Sequence, residues 1–164
     1  IFSRLDPRYY AADLITDVLS GGSSSRLYEK LVKERKLFSS LDCYHLGSLD
    51  TGLVTIEGKL VEGVAMEEAD RAVQAELEAI SREPVGDHEL EKVKNRVESL
   101  IAFEDMSLLS RCNNLAYYEL LGDAGLMNSE MSRYEAVTAA EMREVAAEIF
   151  APEHSNTLYY YARK

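Results

Sequence analysis

The spacing of apolar residues predicts two helices near the start of the chain. Asp6-Pro7 predicts a helix start, because Asp caps helix N-termini and Pro fits the first helical position. Apolar residues then recur at helical spacing through residues 11–19. Gly21-Gly22 predicts the end of this helix, since glycine readily adopts the left-handed conformation found there. Ser23 or Ser24 is the predicted N-cap of a second helix. The apolar side of that second helix carries Leu27, Tyr28 and Leu31.

Beyond residue 37 the spacing changes to one typical of strands. The segment 38–48, FSSLDCYHLGS, is rich in aromatic and small polar residues and predicts one strand. Residues 53–60, LVTIEGKL, alternate between apolar and polar positions. One face of this second strand carries Val54, Ile56, Gly58 and Leu60. Because a short link joins the two segments, we expect an antiparallel hairpin.

Helical spacing returns in the second half of the chain. Pro84-Val85-Gly86 predicts a break between two helices, and Thr138 with Glu141 forms a T-x-x-E capping box before the last one. The final segment, SNTLYYYAR at 155–163, predicts a closing strand. The predicted helices cover residues 66–80, 87–101, 108–122, 129–135 and 139–150.

The order of these elements predicts an α+β domain. We expect a small, largely antiparallel mixed sheet that is backed by helices on one face. Ile1-Phe2 is interpreted as the end of a further strand. With 164 residues, the chain fits a single domain, 1–164. Because the first residue is Ile and not Met, we expect this domain to be a piece of a longer protein.

The charge balance excludes several classes of partner. The chain has 18 Lys and Arg against 29 Asp and Glu, which gives a formal net charge of −11. The basic residues are scattered beside acidic ones, so we expect no nucleic-acid partner and no docking on an anionic membrane. No apolar run approaches the roughly 20 residues that span a bilayer. The residues contain no recognisable signal peptide, and any targeting segment would lie outside them. We expect a cytoplasmic location slightly over a periplasmic one.

The residue types that carry catalysis form no recognised motif. The Gly21-Gly22 turn follows a helix and lacks the Lys of a phosphate-binding loop, and Ser25 stands where a serine nucleophile elbow needs its second glycine. We therefore interpret Gly21, Gly22 and Ser25 as a structural turn. No two histidines have the spacing of a zinc-binding helix, so we expect no metal site in this chain. The histidines are His45, His88 and His154.

Cysteines and carboxylates also favour structural roles. Cys43 and Cys112 are predicted to be buried thiols, and a disulfide between them is left open. The many carboxylates lie on polar helix faces, which indicates solvated surfaces. Paired acid/base catalysis by two of them also stays open.

Four sequence motifs occur in a fixed order along the chain. They are D-P-x-Y-Y-A at 6–11, L-x-G-G-x-S-S-R-L at 19–27, E-L-E-x-x-K-N at 89–95 and V-T-x-x-x-M-x-x-x-A at 137–146. The ordered set, with the strand pair between the second and third motifs, resembles the second, non-catalytic domain of pitrilysin/insulinase-type zinc peptidases. This family includes the subunits of mitochondrial processing peptidase.

The resemblance implies a fold of the processing-peptidase type, in which a mixed sheet is backed by helices and the unit is duplicated in the full protein. In the family, the first copy holds zinc through HxxEH and a downstream Glu, and the second copy is inactive. The two halves enclose an extended peptide. The resemblance therefore implies a zinc-bearing peptidase domain as partner, in the same chain or in another subunit, with zinc bound only there. A peptide or an unfolded protein is the implied substrate.

Two positions depart from the family pattern. Family members whose second domain assists catalysis often carry Arg directly after the apolar residue that matches Leu31, and Tyr seven residues beyond that Arg, and both contact the substrate. Here these positions hold Val32 and Ser39. Val32 cannot donate a hydrogen bond, and Ser39 offers only a short hydroxyl. Lys33 is adjacent, but one residue turns a side chain by about 100° around an α-helix, so we expect no substitution by Lys33.

These features support two main hypotheses of different classes. The first is a non-catalytic domain of a zinc metallopeptidase, which forms half of a peptide-enclosing chamber and supports the zinc-bearing domain. The second is a catalytically dead assembly or protein-interaction module with no peptidase role, which Val32 and Ser39 favour. An independent enzyme with an unrecognised carboxylate or cysteine site is a distant third. If residues before Ile1 supply a strand, the chain alone exposes a sheet edge, and we then expect a homo-oligomer.

Overall fold

The computed structural model describes residues 1–47 and 49–161. The α-helices are α1 (Arg8–Ser20), α2 (Met66–Arg82), α3 (Asp87–Glu104), α4 (Leu108–Leu120), α5 (Glu130–Ala136) and α6 (Ala139–Ile149). The strands are β1 (Phe38–Leu46) and β2 (Leu53–Leu60). A π-helix covers Tyr28–Glu34, and 3₁₀ helices cover Ala124–Ser129 and Pro152–His154. This arrangement confirms the predicted α+β class. Among the described residues, no helix has the length and the apolar content needed to cross a bilayer.

Helix α1 forms the centre of the core, because most of its side chains are apolar and fully covered. Leu14, Ile15 and Val18 are 0% exposed. A helix that is apolar around most of its circumference has to be covered on several sides. Helix α1 packs against β1, α3, α5 and α6. It begins one residue later than predicted, and the Asp6 carboxylate accepts a hydrogen bond from the Arg8 N–H at 2.9 Å.

Strands β1 and β2 form the predicted antiparallel hairpin, and a bulge decides which β1 side chains face the core. Phe38 and Leu41 are both buried, although strict alternation would place residues three apart on opposite faces. The register shifts between Phe38 and Ser40, which leaves Ser39 as the extra residue on β1. This β-bulge turns both apolar side chains toward the same face.

The inner face of β2 follows the predicted alternation. Val54, Ile56 and Leu60 pack against the core. Gly58 lies on the same face, where the Phe38 ring occupies the space of a side chain. A Cβ atom at Gly58 would lie 2.6 Å from Phe38 Cε1. Any other residue at this position would have to displace the ring.

The helices after the hairpin begin and end close to their predicted positions. Val85 lies in the break between α2 and α3 and is buried. Thr138 caps α6, since its hydroxyl oxygen accepts a hydrogen bond from the Glu141 N–H at 3.2 Å. Helix α6 packs against both α1 and α2, so that one apolar core runs from the hairpin to the last helix.

The predicted closing strand is not formed in its described part. Residues 155–161 lie in no strand, and Leu158 and Tyr160 are 90% and 83% exposed. A strand needs a neighbour, and in the described chain β1 and β2 pair only with each other. Tyr159 instead donates a hydrogen bond to the Asp70 carboxylate of α2 at 3.0 Å. The predicted positions 162 and 163 lie outside the described residues.

The first two residues also lie in no strand, although they contact the hairpin. The Ile1 ammonium group donates to the Gly52 carbonyl at 2.7 Å, and the Gly52 N–H donates to the Ile1 carbonyl at 3.1 Å. Phe2 is buried against the core. The chain therefore enters the domain beside the link between β1 and β2.

The two cysteines differ in burial. Cys43 is buried on β1, as predicted. Cys112 is exposed on α4, so the prediction of a second buried thiol is wrong. Helix α4 turns Tyr118 toward the protein, while Cys112 lies on the solvent side. Both thiols are free.

Candidate functional site

The glycine-serine turn connects α1 to the π-helix through hydrogen bonds within the backbone. The Gly21 N–H donates to the Asp17 carbonyl at 2.6 Å, and Gly22 has φ +116°, a conformation that glycine adopts without steric cost. The Ser25 N–H and hydroxyl both donate to the Gly22 carbonyl, at 3.1 and 2.6 Å. The Ser25 carbonyl then accepts from Glu29 at 3.0 Å, which begins the next helix. Ser25, and not the predicted Ser23 or Ser24, therefore precedes the first helical residue. Its hydroxyl donates back to the Gly22 carbonyl of the turn.

Cations of α3 cover the outer side of this turn. Arg96 donates to the Gly21 carbonyl at 2.7 Å, and Lys92 donates to the Ser24 carbonyl at 2.9 Å. An anion-binding loop needs its N–H groups directed at the ligand. Here the N–H groups of Gly21, Gly22 and Ser25 are bonded to carbonyls, and the remaining carbonyls face positive charge. The turn can hold α3 against α1, and it is poorly arranged to bind a phosphate.

The segment after the turn is a π-helix, a wider form than the α-helix that the spacing predicts. The Arg35 N–H donates to the Lys30 carbonyl at 3.0 Å, the five-residue step that defines this helix type. The Leu37 N–H reaches the Leu31 carbonyl at 2.9 Å and closes the helix. Lys36 lies between them with φ +52°, a left-handed conformation that is unfavourable for a residue with a side chain. π-Helical turns are found frequently at functional sites.

The two altered family positions lie at either side of this junction. Val32 is half-buried on the π-helix and packs against the core. Ser39 is the exposed bulge residue of β1, and its hydroxyl donates to the Lys59 carbonyl across the hairpin at 3.0 Å. Lys33 points to solvent and forms an ion pair with Glu29 at 2.8 Å. Val32 and Ser39 therefore contact this domain's own groups.

A partly buried polar cluster on α1, β1 and α5 was not predicted from the sequence. His45 Nδ1 lies 3.3 Å from Asp13 Oδ1, and the Tyr134 hydroxyl donates to Asp13 Oδ2 at 2.5 Å. His45 Nε2 lies 2.9 Å from the Tyr9 hydroxyl, so the imidazole ring connects Asp13 to Tyr9. The available signal was the i, i+4 spacing of Tyr9 and Asp13 on a helix whose other buried positions are mostly apolar.

This cluster is suited to holding elements together rather than to chemistry. Tyr9 is 8% exposed, and burial raises the pKa of its hydroxyl to about 12. Burial, together with the Asp13 carboxylate, raises the pKa of Tyr134 as well. Both phenols therefore stay protonated at neutral pH and are poor nucleophiles.

A second buried cluster surrounds Arg4, which precedes α1. Its guanidinium forms an ion pair with Glu130 and donates to the hydroxyls of Tyr10 at 2.9 Å and Tyr118 at 3.1 Å. Burial is the largest single effect on the pKa of Arg4 and lowers it, but the Glu130 carboxylate together with the Tyr10 and Tyr118 hydroxyls outweighs it, so the pKa is raised. The cluster joins the N-terminal segment to α1, α4 and α5.

The described residues do not fit a zinc ion. No group of three His, Cys, Asp or Glu side chains among them could hold a metal. His88 is exposed at the start of α3, and His154 Nδ1 lies 2.9 Å from the Glu148 carbonyl. Burial raises the pKa of the Cys43 thiol to about 12, so this cysteine is not a reactive thiolate at neutral pH.

An open groove between α3 and α5 has a volume of about 360 Å³. Its walls carry mainly carboxylates, and Lys94 within it donates to the carbonyls of Glu135 and Val137 at 2.7 and 2.6 Å. The groove lacks the convergent polar groups of a catalytic pocket.

The sequence matches the family described as the Peptidase M16 inactive domain over residues 2–97. The match covers the turn, the π-helix, the hairpin, α2 and most of α3. The chain belongs to this family. This result confirms the resemblance that the ordered motifs indicate.

Two relatives are described as uncharacterized zinc proteases. YmxG of Bacillus subtilis is 24% identical over 152 residues, which are 92% of this chain and 37% of that protein. A Streptomyces coelicolor protein is 24% identical over 150 residues, which are 90% of this chain and 32% of that protein. The chain therefore spans about a third of the length of the curated relatives it matches.

Solved structures show the same fold. An inactive peptidase domain from Bordetella parapertussis has a TM-score of 0.81 at 23% identity, over 90% of this chain and 79% of that chain. A protease from Helicobacter pylori also has a TM-score of 0.81, at 19% identity, over 90% of this chain and 36% of that chain. At these identities the likeness concerns the fold alone.

Proposed function

We propose that this chain is the non-catalytic domain of a zinc metallopeptidase, forms half of a peptide-enclosing chamber and supports the zinc-bearing domain. The observation that carries the proposal is membership of the Peptidase M16 inactive domain family by a chain whose described residues hold no metal-binding group. The relatives described as zinc proteases are about three times as long, which leaves room in such proteins for a second domain. Zinc would be held by that other domain, in the same chain or in a partner subunit.

In this proposal the junction between the π-helix and β1 faces the chamber. Val32 and Ser39 are the positions through which related second domains contact substrate. Here Val32 packs against the core, and Ser39 bonds to Lys59. The chain would therefore bind peptide weakly at this junction, and its main contribution would be to enclose the substrate and to stabilise the zinc-bearing domain.

The same two residues favour a second candidate, a catalytically dead assembly module. In that case the chain binds a partner domain but has no influence on cleavage. The sequence that accompanies this domain separates the candidates: HxxEH with a later Glu favours the peptidase, and its absence favours assembly.

The test uses the complete protein and a quenched fluorescent peptide library. Replacing Val32→Arg and Ser39→Tyr together supplies a charged donor and a phenol at the two positions. A hydrogen bond to a charged group contributes about 1.5–3 kcal/mol, so we expect kcat/KM to rise by roughly tenfold or more if the junction faces the substrate. Lys33→Arg is the matched control, since it keeps a cation on the neighbouring position of the same helix.

The outcomes separate the two candidates. An increase with the double variant and none with Lys33→Arg supports the chamber. Cleavage that is unchanged in all variants supports the assembly module. Stoichiometric zinc and peptide cleavage by the 164-residue chain alone would overturn both.

A further inference from the structure

The apolar stripe of α4 faces solvent. Successive residues are about 100° apart around an α-helix, which places the apolar residues of α4 in one stripe about 140° wide. Leu108, Leu109 and Leu120 are 80%, 71% and 68% exposed. Tyr118, on the opposite side, is the buried residue of this helix. A helix at a protein surface normally turns its apolar stripe toward the core. The stripe consists of Leu108, Leu109, Cys112, Leu115, Ala116 and Leu120, and the exposed Glu119 lies within the same sector of the helix.

The exposed area is large enough for a protein interface. Phe103 and Met106 precede α4 and are 73% and 80% exposed, and together with the stripe they define the α4 face. We take about 200 Å² as the full area of each large apolar side chain. Multiplied by the exposed fractions, this gives a solvent-exposed apolar area on the order of 800 Å² for the α4 face. Monomeric proteins rarely expose a contiguous apolar patch beyond a few hundred Å², and a standard interface covers about 800 Å² on each partner.

We propose that the α4 face binds the α4 face of a second copy of this chain, with the two helices antiparallel about a twofold axis that crosses the contact at the height of Asn114 along α4. An isologous contact of this kind needs one self-complementary surface. The register places Leu108 opposite Leu120 of the second copy, and Cys112 opposite Ala116 of the second copy. The N-terminal end of the stripe in one copy then covers the C-terminal end of the stripe in the other copy.

The charges on α4 complement each other in this register. The Arg111 guanidinium makes no ion pair or side-chain hydrogen bond in the described part of the chain. Glu119 is exposed, and its carboxylate accepts from the Ala124 N–H at 3.3 Å. Antiparallel pairing about Asn114 brings Arg111 within about 3 Å, along the helix axis, of Glu119 in the second copy. Two symmetric Arg–Glu pairs would therefore lie along one edge of the contact. Such pairs fix orientation and register, whereas the apolar area supplies the affinity.

The register is testable by disulfide formation. Helices pack about 8–10 Å apart, so Cys112 and a cysteine at 116 of the second copy would have Cα atoms roughly 4–5 Å apart, within disulfide range. The two Cys112 residues would be offset along the axis by about 6 Å and lie beyond that range. We expect Ala116→Cys to form a covalent dimer of twice 18.4 kDa under oxidising conditions. The wild type and the opposite-face control Ser110→Cys should remain uncrosslinked.

The association itself is measured by analytical ultracentrifugation at physiological ionic strength. We expect a reversible dimer that is lost in the variant Leu109→Glu with Leu120→Glu, with folding checked by circular dichroism. Arg111→Glu should weaken the dimer roughly threefold or more, and adding Glu119→Arg should restore it. A wild type that stays monomeric up to millimolar concentration overturns the proposal. So does a dimer that survives the double Glu variant, which would indicate pairing through the sheet edge, or crosslinking of wild-type Cys112 to itself.

Discussion

The buried ion pair between Arg4 and Glu130 can be tested by replacing one partner or both partners. We expect the two changes to lower the free energy of unfolding by different amounts. Glu130→Leu leaves the Arg4 guanidinium without its carboxylate among buried groups. Removing one partner of a buried ion pair costs about 3–5 kcal/mol, because the remaining charge has lost both water and its counter-charge. A domain is stable by only about 5–15 kcal/mol, so this variant should be severely destabilised.

The double variant Arg4→Met with Glu130→Leu removes both charges. The Tyr10 hydroxyl then loses both Arg4 and its acceptor Glu130, and the Tyr118 hydroxyl loses Arg4, at about 1 kcal/mol for each hydrogen bond. Restored apolar packing offsets part of this cost, and we expect a net loss of about 1–2 kcal/mol. The double variant should therefore be more stable than Glu130→Leu alone, although it carries one more substitution.

Urea unfolding followed by circular dichroism measures these differences directly. Glu78→Gln is the matched control, since the pair of Glu78 with Arg82 is 64% and 74% exposed and is worth less than about 1 kcal/mol. A cost below about 1 kcal/mol for Glu130→Leu, or a double variant that is less stable than the single one, would refute the assignment of a buried, mutually dependent pair.

Three further predictions concern single residues. Lys36→Gly places glycine at a left-handed backbone position and should raise the free energy of unfolding in urea by about 0.5–1 kcal/mol. A lower free energy of unfolding would contradict backbone strain at Lys36. Burial raises the pKa of the Asp17 carboxyl, so the folded chain holds this proton more tightly than the unfolded chain and loses stability as pH rises through that pKa. The stability of Asp17→Asn relative to wild type should therefore increase as pH rises above about 4, and a constant difference would argue against it. A thiol reagent should label Cys112 in the native chain and Cys43 only after unfolding, because Cys43 is buried and burial raises its pKa to about 12. Rapid labelling of both cysteines in the native chain would contradict the burial of Cys43.

Local patterns predicted most of the secondary structure because each depends on neighbours in sequence. The alternation in 53–60 defined β2, and the T-x-x-E box at Thr138 placed the start of α6. The bulge at Ser39 and the π-helix were not predictable, since a small polar residue and a charged amphipathic segment fit regular elements equally well. Their conformations depend on packing of Phe38 and Leu31 against the core.

Features that depend on distant contacts were outside the reach of sequence patterns. The polar cluster joins Asp13 to His45 and Tyr134, which are 32 and 121 residues away. The apolar spacing correctly predicted the helix α4. Such spacing identifies the apolar face of a helix, but it does not show whether the core covers that face. Cys112 was therefore wrongly expected to be buried. The closing strand failed for a related reason, because residues 155–161 have strand-like composition and no partner in the described chain.

We propose that this chain is a peptidase-family domain that does not cleave peptides by itself. The most direct measurement is the zinc content and peptidase activity of the purified 164-residue chain, alone and mixed with the zinc-bearing domain of its complete protein. We expect substoichiometric zinc and no cleavage by the chain alone, and increased cleavage when the two are combined. One bound zinc per chain, together with peptide hydrolysis by the chain alone, would contradict it.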